Sequence, residues 1–207
     1  DTGEYVAFEW IGERDYLGEQ KGTKARTRGA NCTSADAAVF MEHHDGLRQI
    51  VLIEWKFTES YGAQSIKVAA SGTDRSKTYQ PLLDRADCPL EIKRLVSTDD
   101  LYYEPFYQLM RQQLLAHEME LAREKSADKV SVLHISPAAN MDLRKVTSRG
   151  LRHLGDTCFT VWGALQVQSD RFRSVTTGDL FRAFPVDAFP AMGSWREYLH
   201  ARYASVF

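Results

Sequence analysis

The chain has 207 residues, 43% hydrophobic and 26% charged, which is ample for a packed core and excludes a disordered chain. Its 26 Lys and Arg against 28 Asp and Glu give no chain-wide basic field, so a polyanion has to be held by a local patch. The longest uniformly aliphatic run is Ile50–Ile53, far below the about 20 apolar residues of a membrane span, and DTGEYVAFEW at the start has neither a basic opening nor an apolar block, so we expect no membrane association, no signal peptide and a cytoplasmic protein.

Residues 1–20 mix aromatics and acids (Tyr5, Phe8, Trp10, Tyr16) and predict helical or irregular structure packed on the core. Residues 21–31, KGTKARTRGAN, are basic and contain glycine, which suits an exposed loop or an edge strand. Two strand candidates follow at 38–43 and 48–58. The second is rich in β-branched and aromatic residues, and both its faces are apolar at the start, which predicts a central strand. Gly62, Gly72, Pro81 and Pro89 divide residues 62–98 into loops with short helices. Residues 100–125 predict a long helix, with Phe106, Leu109, Met110, Leu114, His117 and Leu121 at helical spacing, Asp99 or Asp100 as cap and Pro105 in the first turn. Lys129–Ile135 then reads as a buried strand closed by Ser136 and Pro137, so strand, helix and strand suggest a crossover unit. The last third looks mostly helical: a helix around Trp162 (156–165), one at 176–184 capped by Thr177 or Asp179, and one at 194–203. One α/β domain over 1–207 is expected, with a core of about 20–136 and a mostly helical part at 137–207. Cys32, Cys88 and Cys158 form no CxxC pair, which excludes a four-cysteine zinc site and predicts buried free thiols.

Chemistry concentrates at Asp36, Glu54 and Lys56. Glu54 and Lys56 are two apart on a strand and project from one face, where buried charges are costly unless paired or metal-bound. Whether Asp36 joins them depends on the turn at His44-Asp45-Gly46. A two-residue Asp-Gly turn pairs 44 with 47 and sets Asp36 against Trp55, on the wrong face. A three-residue loop with Gly46 left-handed pairs 43 with 47 and sets Asp36 against Glu54. Glycine in third position favours the loop, and a bulge would change the register. Two carboxylates converging with a lysine make a hard oxygen site suited to Mg²⁺, with Lys56 placed to orient a water or neutralise developing charge.

Ser34-Ala35-Asp36, seventeen intervening residues and Glu54-Trp55-Lys56 resemble the PD-(D/E)XK nuclease superfamily. The wider RGANCTSADAAVF…LIEWKFTESY, FYQLMRQQLLA, Trp162 and SWREYLHARY look like its bacterial restriction-endonuclease-like branch. Ala35 stands where the usual proline precedes the Asp. The resemblance implies a mixed central sheet flanked by helices, and Mg²⁺-dependent hydrolysis of DNA phosphodiesters with Mn²⁺ as a substitute. Asp36 and Glu54 would bind the metal, and Lys56 would be the catalytic lysine. A Gln or Tyr on the following helix, among Tyr107, Gln108, Arg111 and Gln112, would approach the scissile phosphate; Gln108 is the first choice. An early acid would complete the metal site from Glu9, Glu13 or Glu19. A homodimer or a partner subunit is also anticipated.

Two basic stretches suit a phosphate backbone: Lys21, Lys24, Arg26 and Arg28, joined by Arg111 on the helix, and Arg144, Lys145, Arg149, Arg152 and His153. Plainer readings stand beside these. From the strand pattern alone Glu54–Lys56 reads better as a structural salt bridge at a sheet edge, whereas Asp36 and the wider resemblance favour the metal site; a nuclease-like fold can also hold nucleic acid or a partner protein without cutting. Glu59 reads as surface or as a supporting neighbour of the site, His43-His44-Asp45 as a solvated turn, and His134 as a satisfied core histidine. His117-Glu118 lacks the second zinc-protease histidine at 121, and Ser136 lacks a Gly-x-Ser-x-Gly setting.

Overall fold

The computed structural model describes residues 5–20, 22, 25–27 and 32–204. Strand β1 (Val6–Trp10) is followed by β2 (Ala35–Glu42) and β3 (Arg48–Trp55), which pair antiparallel from Ala37↔Ile53 to Glu42↔Arg48. Their connection is the three-residue loop: His43 N–H donates to Leu47 O at 2.8 Å, Gly46 N–H donates to His43 O at 2.9 Å, and Gly46 has φ +84°. The left-handed angle costs glycine nothing, so this sequence closes the hairpin in the register that sets Asp36 opposite Glu54.

The expected crossover follows. Helix α1 (Ser76–Leu83) lies in the loop-rich stretch, and α2 (Phe106–Leu121) carries the chain to β4 (Lys129–Ser136), parallel to β3. Helix α2 starts six residues after the expected residue 100, at the first of the periodic apolar residues, Phe106. Ser97 Oγ instead accepts Asp99 N–H at the head of a separate 3₁₀ turn over Thr98–Leu101, and Pro105 occupies the α2 cap position. Past Leu121, Arg123, Lys125 and Ser126 take positive φ and end it early. Helix α3 (Cys158–Ala164) forms around Trp162 as expected, with that side chain fully buried.

Two strands depart from the sequence reading. Residues 6–10 form a strand antiparallel to β2 rather than helical or irregular structure. Glu9 at φ +55° breaks its alternation, and Phe8 stays 79% exposed, so the two-residue period is hidden. In the last third, β5 (Phe172–Thr176) pairs parallel with β4 before helices α4 (Thr177–Ala183) and α5 (Gly193–Arg202). Thr176, not Thr177 or Asp179, caps α4, its Oγ1 accepting Asp179 N–H at 3.0 Å.

The sheet runs β1-β2-β3-β4-β5, antiparallel on one side of β3 and parallel on the other. Together with its flanking helices it is an α/β fold consistent with the restriction-endonuclease-like architecture. The even face of β3 buries Ile50, Leu52 and Glu54 with Phe106, Met110 and Leu114 of α2 in one core. Among the described residues no helix is long and apolar enough to cross a membrane.

Candidate active site

The carboxyl end of β3 brings the predicted charges together. Glu54 ends the buried even face, 3% exposed, and Lys56 follows just past the strand, its N–H donating to Ile135 O at 2.9 Å. Lys56 Nζ lies 2.5 Å from Glu54 Oε1. Across the hairpin, Asp36 Oδ2 accepts Trp55 N–H at 2.8 Å, which holds that carboxylate at the strand end. Helix α2 crosses this face. Gln108 Nε2 donates to Glu54 Oε1 at 2.6 Å, and one turn later Gln112 Nε2 donates to Oε2. Asp36, Glu54, Lys56, Gln108 and Gln112 therefore line one cavity of about 200 Å³ with Cys32, Thr33, Ser34 and Arg111.

Burial pushes the Glu54 carboxyl above its usual range; Lys56 opposes this by charge and hydrogen bond, and Asp36 adds to it. For Lys56, burial acts first to lower the ammonium, yet Glu54, Asp36 and Glu59 outweigh it and hold it above its ordinary value. A proton is thus firmly kept on Lys56 while Glu54 is charged. A carboxylate has about four acceptor directions. Glu54 uses three of them, two on Oε1 and one on Oε2.

The donor set is one of hard oxygens. Asp36 and Glu54 supply carboxylates, and Gln112, also on the lining, has a buried Oε1 with no hydrogen-bond partner. Among the described residues no group of three or more His, Cys, Asp or Glu side chains makes a self-sufficient metal cage. Mg²⁺ and Mn²⁺ suit such a set, since Mg²⁺ is commonly held by one or two carboxylates while keeping several waters.

The other candidates separate. Glu19 reaches the rim of this cavity: its carboxylate accepts from Thr33 N–H, from Thr33 Oγ1 at 2.7 Å, from Tyr79 OH at 2.5 Å and from Arg111 Nε at 3.2 Å. It fixes Thr33, three residues before Asp36, against α2, and Arg111 Nε also donates to Thr33 Oγ1 at 2.9 Å. Glu13 pairs instead with Lys125 at 2.9 Å, and Glu9 sits in β1. Tyr107 turns to Tyr79, its OH donating to the Tyr79 hydroxyl at 3.2 Å. The Arg26 guanidinium donates to the carbonyls of Ile11 at 2.9 Å and Gly12 at 2.8 Å, which staples its own loop. Lys21, Lys24 and Arg28 lie outside the described residues.

Several neighbours gave little signal in sequence. Glu59, expected to turn away, comes back to 3.9 Å from Lys56 because the strand has already ended at Trp55. Glu104, just before α2, accepts Gln108 N–H at 3.3 Å, and burial holds its carboxyl above the usual range. His134 sits beside Glu54 in the β3–β4 register and packs on Phe159 with ring centroids 4.3 Å apart. It is a core histidine as expected, but its Nδ1 has no hydrogen-bond partner. Burial, then Lys56 and Arg144, push its pKa down to about 3, so the ring is neutral. His43 at the turn is exposed and meets Gln49 at 2.7 Å.

A mixed sheet with carboxylates and a lysine at the end of its central strand is the frame of a restriction-endonuclease-like protein. The chain belongs to the family described as Restriction Endonuclease associating with ARP, whose model matches residues 1–204. Comparison with curated proteins and with solved structures gave no significant match.

Proposed function

We propose that this protein is a PD-(D/E)XK-type deoxyribonuclease that hydrolyses DNA phosphodiesters with Mg²⁺, or Mn²⁺ in its place. The observation that carries the reading is the cavity where Asp36, Glu54 and Lys56 converge under Gln108 and Gln112. Asp36 and Glu54 would hold the metal. When bound, the metal polarises a phosphoryl oxygen and lowers the pKa of a coordinated water.

The chain's own residues supply the rest. Trp55 N–H fixes one Asp36 oxygen, and the two glutamines orient Glu54, so neither carboxylate has to reorganise as the reaction proceeds. Lys56 keeps its proton and places a positive charge where the phosphorane builds negative charge. Gln108 is the side chain on α2 best placed to exchange its bond to Glu54 for one to a phosphate oxygen. The family's name also supports work in company with the partner it calls ARP.

The test is conversion of supercoiled circular DNA by wild type, Glu54→Gln and Lys56→Ala, with Mg²⁺ or with chelator. Wild type should nick or linearise the circle only with metal, and each variant should fall by at least ~100-fold, the scale of one lost transition-state group. Wild-type rates in Lys56→Ala would leave Glu54–Lys56 as a structural salt bridge and end the nuclease reading.

A further inference from the structure

A second cleft, of about 510 Å³, opens beside the candidate site and is lined by Tyr61, Ala63, Lys145, Thr147, Arg152 and Asp156 among others. Its size falls in the range of small-molecule and nucleotide pockets. On its lining, burial and then the carboxylates of Glu104, Glu59 and Glu54 push the Tyr61 hydroxyl up.

The wall of the cleft is tied to the elements that carry Lys56 and Gln108. Asn140 Nδ2 donates to Phe57 O at 3.1 Å and Glu59 O at 3.0 Å, directly after Lys56. Thr147 Oγ1 donates to Glu104 O at 2.6 Å, two residues before α2. Ser148 Oγ donates to Asp100 Oδ1 at 2.6 Å, and a Cβ on Gly150 would sit 2.2 Å from Asp100 Oδ2, so this loop is seated too closely for any side chain there. A cleft held this way needs little ordering when a ligand enters.

Two cations on its lining, Lys145 and Arg152, stand against Asp156, and exposed Arg149 lies in the same segment; the carboxylates of Glu104 and Glu59 act at the Tyr61 end. Lys145 pairs with Asp142, but both side chains are largely exposed, so the pair is weak and the ammonium is released at little cost.

We propose that this cleft is a second phosphate-backbone site, where Lys145 and Arg152 hold the DNA strand a nucleotide or more away from the phosphate at Glu54 and Lys56. The inference rests on the proposed function and gives it a path for the strand.

The test is fluorescence anisotropy of a labelled duplex in chelator across a salt series, with Lys145→Ala/Arg152→Ala and with Arg48→Ala as a single-charge control at the far end of β3. Each lost phosphate contact removes about 0.9 from the slope of log affinity against log salt. The double variant should lose roughly 1.8 in slope and roughly 60-fold in affinity at about 0.1 M salt by the same relation. Arg48→Ala should match wild type. Lys145→Gln/Arg152→Gln, with its melting temperature beside that of wild type, guards against a folding defect. A salt-dependent wild type with an unchanged slope in both double variants would overturn this site and leave the nuclease reading standing. A wild type that neither binds nor cuts DNA would overturn both.

Discussion

Lys56→Met removes the one cation in contact with a carboxylate that is 3% exposed. At 2.5 Å the Lys56–Glu54 attraction is about 7 kcal/mol at an effective dielectric near 20. Desolvation of both ions takes back part of this, and breaking a buried pair by removing one partner costs about 3–5 kcal/mol. In the variant, Glu54 retains only the Gln108 and Gln112 amides and still faces Asp36. Its already raised carboxyl pKa must rise further. The sign follows from linkage: a carboxyl whose folded pKa exceeds the unfolded value, ordinarily about 4.3, contributes stability below that value and loses it as pH rises through the folded pKa. The variant's deficit should therefore be largest near neutral pH and shrink as pH falls toward about 4. Urea unfolding in chelator at several pH values measures it, and Lys56→Met/Glu54→Gln should recover most of the loss because no charge is left buried. Mg²⁺ should narrow the gap by binding the folded variant. A deficit below about 1 kcal/mol, the same at every pH, would mean that Glu54 is not held as a buried anion by Lys56, and the electrostatic account of the site would go with it.

Three further outcomes follow from local geometry. Gly46→Val should cost about 1–2 kcal/mol in chemical denaturation, from backbone strain at φ +84° alone, because a Cβ there meets nothing within 4 Å; Gly46→Asn should cost clearly less. Glu19→Ala strands Arg111 and frees Thr33 and Tyr79, so about 3 kcal/mol or more should be lost in the same assay, with Glu19→Gln milder; a neutral result would show that Glu19 does not fix the segment leading to Asp36. Burial pushes the Cys158 thiol up to about 12, so its alkylation near pH 8 should be roughly 1000-fold slower in folded than in denatured protein, since an ordinary thiol titrates near 8.5; mass spectrometry of the labelled peptide reads it directly.

The parts legible in sequence were those where local chemistry and tertiary pairing agree. Gly46 in the third loop position set the hairpin register because the turn needs a left-handed residue there. The run from Ile50 to Ile53 is apolar on both faces, and β3 is central: one face is buried and the other partly buried, with strands on both edges. By contrast, β1 and β5 are five residues each, one broken by Glu9 and the other, FRSVT, with only Phe172 and Val175 apolar, so the sheet supplies their conformation. In the site, Gln108 and Gln112 were readable as a pair at helical spacing, and only the structure shows both on Glu54. Glu19 and Glu104 were not separable from other acids, because their positions depend on the path of loops with no periodic pattern.

The neutral state of His134 bears on how the lysine's charge is directed. His134 occupies the register position beside Glu54 on the adjacent parallel strand, so both side chains leave the sheet on one face. An imidazolium there would compete with Lys56 for the same carboxylate and add a second positive charge to a buried space. Burial, reinforced by Lys56 and Arg144, keeps the ring uncharged, and its stacking on Phe159 gives it an apolar seat. Lys56 is then the only charged group in contact with Glu54 among the described residues, the other contacts being amides. Glu54, three of its acceptor directions occupied and one remaining on Oε2, lines a cavity with Asp36. Two carboxylates and the cations of Lys56 and Arg111 thus share one lining, which offers negative charge to a divalent cation and positive charge to a phosphate.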